Sequence, residues 1–326
     1  MTAAGQGTTI RALPEEPMRN GKKVAIVLSG GGIRGPLQVG ALESLLEHGV
    51  EPDMFVGTSA GALNAGFMAA HGPDLYSIPC LKDAWRSATR DVVYPGNIFS
   101  IAGRLVQGDD GLFPTEGMRH LIQSHLPDGV RTFGQLKSEC YLTTVDLISR
   151  KLFVFGDFPR APLIEGMMAS SVIPVLQPPV LYASKQLVDG GVLAEVPCSV
   201  AMDRGAQVIY AVNLGAGEAP GAPVKGVFNI FMRTIETMLI QGFLQDMRRA
   251  EEDPLIELHH IQINAFADLE FNDFDHIEEQ FVAGKETTDL YLSNPQPREV
   301  LAPEPMEAPR LEEVAGMREY VPPYMR

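Results

Sequence analysis

Long apolar runs, cysteine and positive charge are all scarce in this 326-residue sequence. No segment holds the roughly 18 uninterrupted apolar residues that a membrane-spanning helix needs, and the most apolar stretch, Val227 to Leu244, is broken by Arg233 and Glu236. A spanning helix is therefore not expected. The opening "MTAAGQGTTIRALPEEPMRNGKK" contains no apolar centre for a secretory signal, so export by that route is not expected either. The three cysteines, Cys80, Cys140 and Cys198, are odd in number, widely separated and without metal-ligand spacing. That argues against a disulfide framework or a zinc site and fits a reducing cytoplasm. With 26 basic residues against 41 acidic ones, the formal charge of −15 repels phosphate backbones and anionic lipid. Nucleic acid is not an expected partner. Any contact with a membrane surface would be peripheral, apolar and local.

What is present is an ordinary globular composition, 45% hydrophobic and 21% charged, enough for a full core. Residues 1–20 and 295–326 are polar and dotted with proline, and read as extended tails around one domain at 21–294. Inside it, "KVAIVLS" predicts a strand, Pro36 to about His48 a helix, "MFVG" a strand and Ala60 to Ala70 a helix. Further strands are predicted at "CYLTTVDL", "KLFVFG", "QLVDGG" and "QVIYAVNL", the first and last apolar enough for the interior of a parallel or mixed sheet covered on both faces. The expected class is one α/β domain with a central, mostly parallel sheet. Residues 74–127 are less regular and are expected to form helices and loops over one end of the sheet, as a lid or a substrate wall. Between Val227 and Met247, Phe228, Phe231, Ile235, Met238, Leu239 and Phe243 recur at helical spacing, which predicts an amphipathic helix, packed on the sheet or serving as a lid.

Two glycine turns carry the chemistry. "GGGIRG", residues 30–35, matches the dinucleotide fingerprint with Gly30, Gly32 and Gly35. A nucleotide site would need an acidic residue ending the second strand, yet Glu51 and Asp53 precede that strand. What ends it is "GTSAG", Gly57 to Gly61, the pattern that places a serine on a tight strand-to-helix turn. Ser59 would then lie at a helix N-terminus, where the dipole favours the oxyanions of acyl transfer. If the two turns end neighbouring strands, Ser59 is the nucleophile and the amides of Gly30, Gly31 and Gly32 are donors to the developing negative oxygen. Arg34 either steadies this loop or adds positive potential.

The hydroxyl needs a base. His71, His120 and His125 sit in helix or loop contexts, and His259 and His260 lie in "LIELHHIQI", where one of the pair would face a sheet; none stands beside a turn signature. The better candidate is Asp189, at a strand end before Gly190 and Gly191, which allow the chain to turn sharply and let the carboxylate meet a serine from a neighbouring strand. An ordinary aspartate is a weak base, so Asp189 is expected to gain strength from partial desolvation and from short direct contact with Ser59.

Together "GGGIRG", "GTSAG" and "DGG" at 189–191, with "ASSVIP" at 169–174, resemble the patatin-like phospholipase family over roughly Lys22 to Leu214. The resemblance implies a three-layer α/β/α fold and a serine–aspartate dyad without histidine, metal or cofactor. It assigns Ser59 as the nucleophile that forms an acyl-enzyme and Asp189 as the general base, with the Gly30 to Gly32 amides as the oxyanion hole and Arg34 at the family's basic position. Gly35, Gly57, Gly61, Gly190 and Gly191 support these motifs. The reaction implied is hydrolysis of carboxylic esters of lipids, of the phospholipase A or lysophospholipase type, and calcium is not implied. Three other readings stand beside it: acyl transfer to an alcohol or thiol from the same acyl-enzyme, a nucleotide site on "GGGIRG", and a lipid-binding protein with vestigial catalytic residues.

Overall fold

The computed structural model describes residues 21–215, 224–226, 230, 234, 237, 243, 244 and 246–295. Both expected tails, apart from Pro295, fall outside the described residues. So does most of the expected helix at 227–247, including Phe228, Phe231, Ile235, Met238 and Leu239. Those of its residues that are described are helical.

Alternating burial on two covered faces explains the central strands. In β1 (Val24–Leu28), Ile26 and Leu28 join one apolar cluster while Ala25 and Val27 join a second. β2 (Met54–Gly57) divides in the same way, Phe55 to the first cluster and Met54 and Val56 to the second. Because each face meets helices, neither face is polar, and the strands read as continuous apolar runs. The other strands are β3 (Glu139–Asp146), β4 (Lys151–Phe155), β5 (Val180–Tyr182), β6 (Lys185–Asp189), β7 (Val208–Asn213) and β8 (Glu257–Gln262). They form one sheet in the order β5, β6, β3, β2, β1, β7, β8, with β4 pairing β3. The run from β3 to β8 is parallel, whereas β4, β5 and β6 pair antiparallel. The expected mostly parallel sheet is therefore present, with an antiparallel flank. The short strand β5 had no distinct signal in the sequence.

The α-helices whose bounds are described are α1 (Gly35–Glu47), α2 (Ala60–His71), α3 (Ser77–Arg86), α4 (Arg90–Val93), α5 (Ile98–Gln107), α6 (Glu116–His125), α7 (Leu163–Ser171), α8 (Cys198–Met202) and α9 (Ile277–Ser293). Pro36 opens α1, where its missing N–H costs nothing. Gly49, at φ 79, closes it in the left-handed conformation that commonly ends helices. Residues of α1, α2, α3, α6, α7 and α9 fill the first cluster. On the opposite face, α8 with Met247 and Ala250 fills the second, and Phe243 packs beside them. The result is the expected three-layer α/β/α architecture. Segment 74–127 resolves into α3 to α6.

Candidate active site

The two glycine turns end β1 and β2, which pair in parallel with Leu28 opposite Gly57, so both reach the same edge of the sheet. Ser59 sits at φ 56, ψ −122, a conformation that costs about 1–3 kcal/mol and persists only where its surroundings impose it. The surroundings are identifiable. The Ser59 amide donates to Ser170 Oγ at 3.0 Å, and the Ser171 hydroxyl donates to the Ser59 carbonyl at 3.1 Å. These serines, in the "ASSVIP" stretch at the end of α7, hold both peptide groups of the strained residue. Thr58 adds a third tie, donating to the Ala194 carbonyl at 2.7 Å and meeting Thr143 Oγ1 at 2.6 Å.

The glycines of "GTSAG" are required by close approach. A Cβ at Gly61 would stand 2.4 Å from the Leu28 carbonyl oxygen and 2.5 Å from that of Ser29, both backbone atoms that cannot rotate away. Gly57 faces Gly61 itself, with its would-be Cβ 2.3 Å from the Gly61 oxygen. Gly61→Ala is expected to destabilise the protein by about 2 kcal/mol or more, because the added methyl must separate α2 from β1. Urea denaturation would read this as a lowered midpoint at unchanged m-value.

In the first turn the three glycines have different tasks. The Gly30 amide donates to the Glu195 carbonyl at 3.1 Å, so it is already engaged. This departs from its expected place among the oxyanion donors, because the chain after β6 returns against the turn. The Gly31 and Gly32 amides donate to no group among the described residues. Gly32 has φ 56, which a glycine accommodates without strain and which tips its peptide out of line with the strand. The bonds of Arg34 fit the first of its two expected roles, steadying the loop. Its guanidinium donates to the Leu214 and Gly215 carbonyls at 2.6 and 2.7 Å, bracing the end of β7.

Asp189 is reached differently from the sequence-based expectation. Its strand β6 does not neighbour β2; β3 lies between, with Thr144 opposite Asp189. Gly190 makes the crossing possible, since a Cβ there would lie 2.2 Å from Thr143 Oγ1. The Gly191 amide donates to Asp189 Oδ1 at 2.8 Å. Asp189 is only 6% exposed and Ser59 only 8%. Burial raises the carboxyl from an ordinary 3.8 to about 7, opposed in part by the Ser59 hydroxyl and the Gly191 amide, which favour the charged form. The two side chains are thus brought together, with the carboxyl held above its ordinary range by burial. Burial, and then the Asp189 carboxylate, pushes the Tyr94 phenol up as well.

Several polar residues of the site carried no motif. Gln38 donates to the Ser29 carbonyl at 2.8 Å and accepts from Asn64 at 2.9 Å, and Trp85 Nε1 donates to Asn64 Oδ1 at 2.7 Å. The usable signal was a single amide inside each of two apolar helical runs, "PLQVGAL" and "GALNAGF". From Ser59 an apolar pocket extends between α2, α3 and α6, walled by Phe67, Leu81, Trp85, Met118 and Ile122. The 74–127 segment thus supplies a wall of this pocket. Among the described residues no histidine hydrogen-bonds to Ser59 or Asp189. His125 lines the pocket, His259 stacks on Tyr210 and bonds to Tyr291, and His260 pairs with Asn213. Nor do the described residues hold any group of three or more His, Cys, Asp or Glu placed to bind a metal, and none of their helices is long and apolar enough to cross a membrane.

A family model described as patatin-like phospholipase matches residues 26–202. A putative patatin-like phospholipase domain-containing protein of Caenorhabditis elegans, M110.7, is 27% identical over 225 residues, 65% of this chain and 19% of that protein. Lysophospholipase nte1 of Neurospora crassa is 29% identical over 225 residues, 65% of this chain and 14% of that protein. The chain therefore spans less than a fifth of the length of either relative. The solved human GIVD cytosolic phospholipase A2, in complex with methyl gamma-linolenyl fluorophosphonate, aligns at TM-score 0.47 and 13% identity, over 83% of this chain and 58% of that one.

Proposed function

The chain belongs to the patatin-like phospholipase family, and from that premise we propose that it hydrolyses carboxylic esters of lipids through Ser59 and Asp189. The observation that carries this reading is a strained serine facing a buried aspartate of raised pKa at one end of an apolar pocket. Asp189 takes the proton as Ser59 Oγ attacks the ester carbonyl carbon. The Gly31 and Gly32 amides donate to the resulting oxyanion, each such donor being worth about 3–4 kcal/mol of barrier. Collapse of the tetrahedral intermediate breaks the ester C–O bond, and protonated Asp189 returns its proton to the departing alcohol, leaving an acyl-enzyme. Water, deprotonated by the same carboxylate, then releases the fatty acid and restores Ser59.

The single group serves twice because its pKa lies near neutrality: it is charged enough to accept a proton and acidic enough to return one. The apolar walls suit an acyl chain, and lysophospholipase relatives point to the same substrate class.

The test is a series of p-nitrophenyl esters of rising chain length, assayed in EDTA with and without an added alcohol acceptor. Free acid is the expected product, with a chain-length optimum and no effect of the chelator. Absence of turnover on every ester, soluble or vesicle-borne, would overturn the reading. Preferential formation of the transacylated product would move it to acyl transfer.

A further inference from the structure

Helix α5 exposes an apolar stripe beside the wall of the pocket. Ile98, Ala102 and Leu105 fall at i, i+4 and i+7, and Phe99 and Val106 lie one position on, so the five share an arc of about 120°. All five are exposed, Phe99 by 84% and Val106 by 89%, and no residue of the helix is fully buried. The helix is nonetheless well formed. Asn97 and Ser100 make a reciprocal capping box at its start, Gly108 closes it at φ 75, and Arg104 donates to the Gly111 carbonyl from the inner side. On that inner side Ile101 packs against the cluster of Tyr94, Phe113 and Leu176. Tyr94 also lines the pocket and lies near Asp189. One helix thus has its inner face on the wall of the site and its outer face unpartnered.

We infer that the outer face of α5 is the surface by which this protein docks on a zwitterionic lipid layer, seating the pocket over its substrate. The inference rests on the proposed lipid-ester chemistry for the identity of the substrate. Two features select this occupant. The stripe lies on the helix that backs the pocket wall, so a layer touching it is also next to the pocket, which would shorten the transfer of an acyl chain. Val175, whose carbonyl accepts the Leu112 amide, is a further exposed apolar group near the end of α5. The charge then selects the kind of layer. The stripe is uncharged, exposed Asp110 follows it, Asp109 being paired with Arg104 at 3.2 Å, and the chain carries −15 overall. Anionic headgroups would be repelled, whereas a phosphatidylcholine surface accepts the apolar face without that cost.

The experiment uses the full chain and the Phe99→Asp/Val106→Asp double variant, in sedimentation with phosphatidylcholine vesicles. Parallel assays use a short soluble p-nitrophenyl ester and lysophosphatidylcholine carried in the vesicles. Neither residue lines the pocket, so the variant should keep its melting temperature and its rate on the soluble ester. Its vesicle affinity should fall by about tenfold or more per residue replaced, and vesicle-borne turnover should fall with it. If the wild type turns over no ester yet binds vesicles through the stripe, the hydrolase reading fails and the docking surface stands. Equal vesicle binding by both proteins, or none by the wild type, would overturn the inference. So would a wild-type dimer that dissociates on substitution without any vesicle binding, since a second copy would then cover the face.

Discussion

Ser59→Ala is expected to lower kcat for ester hydrolysis by about 10⁴-fold or more, with little change in stability. The loss is large because the neighbouring hydroxyls are committed: those of Ser170 and Ser171 are both engaged with the peptide groups of residue 59. Stability should hold because alanine keeps the Cβ, so the backbone at φ 56 is as strained as before and the same two serines hold it. Removing the hydroxyl also removes a group that favours the charged form of Asp189. The carboxyl should therefore titrate at higher pH in the variant than in the wild type, which a carbon-detected NMR titration of the aspartates would read. Substantial residual kcat, or an acyl adduct at another residue in intact-mass analysis, would remove Ser59 from its role.

Asp189→Asn is expected to reduce kcat by about 10³-fold and, above neutral pH, to make the protein more stable. The two effects have one cause. The wild-type carboxyl has its pKa raised by burial to about 7, and only the charged form accepts the serine proton. Wild-type kcat/KM should accordingly rise with pH through about 7 and level off above it, and this limb should vanish in the variant. For stability the sign is opposite. The folded-state pKa lies above the unfolded value, so the folded protein binds the proton more tightly. Stability from this group is full below about pH 4 and is lost as pH rises to about 7, a change on the order of 4 kcal/mol. Asparagine never bears the charge, so the variant escapes that loss. Urea midpoints at pH 5 and pH 8 should differ less in the variant than in the wild type. A variant less stable at both pH values would mean that the carboxylate is better compensated than its burial indicates.

The parts of this molecule that could be read in advance are those whose physics is local. β1, α1, β2 and α2 follow one another in runs whose apolar pattern, Pro36 opening and Gly49 closure act within a few residues. The tight turn at Ser59 was legible for the same reason, since a residue at φ 56 between a strand and a helix needs small neighbours on either side in the chain. What could not be read depends on register between distant segments. That Gly30 gives its amide to Glu195, and that Arg34 turns toward Leu214 and Gly215, requires knowing where the chain returns 165 to 181 residues later. The passage of Asp189 over β3 rather than from a strand beside β2 depends likewise on the antiparallel flank. α3 to α6 have only short amphipathic patterns, so the lid or wall expected over 74–127 could not be divided into helices in advance, nor could Leu81, Trp85, Val93, Met118 and Ile122, from α3, α4 and α6, be picked out as its lining. Gln38 and Asn64 sit between these cases, visible as polar residues in apolar helices but without an assignable partner.

Those two amides have a further consequence. The line from the Ser29 carbonyl through Gln38 and Asn64 to the Trp85 indole joins the donor turn, the first helix, the nucleophile's helix and the pocket wall by buried hydrogen bonds. Its members cannot shift singly without leaving a polar atom unpaired in the interior, at about 1–3 kcal/mol each. It therefore acts as a fixed gauge between the first glycine turn and the wall of the pocket. Under the proposed ester hydrolysis, discrimination between esters is then expected to fall to how far a chain extends along that wall, rather than to any tightening of the groups around Ser59.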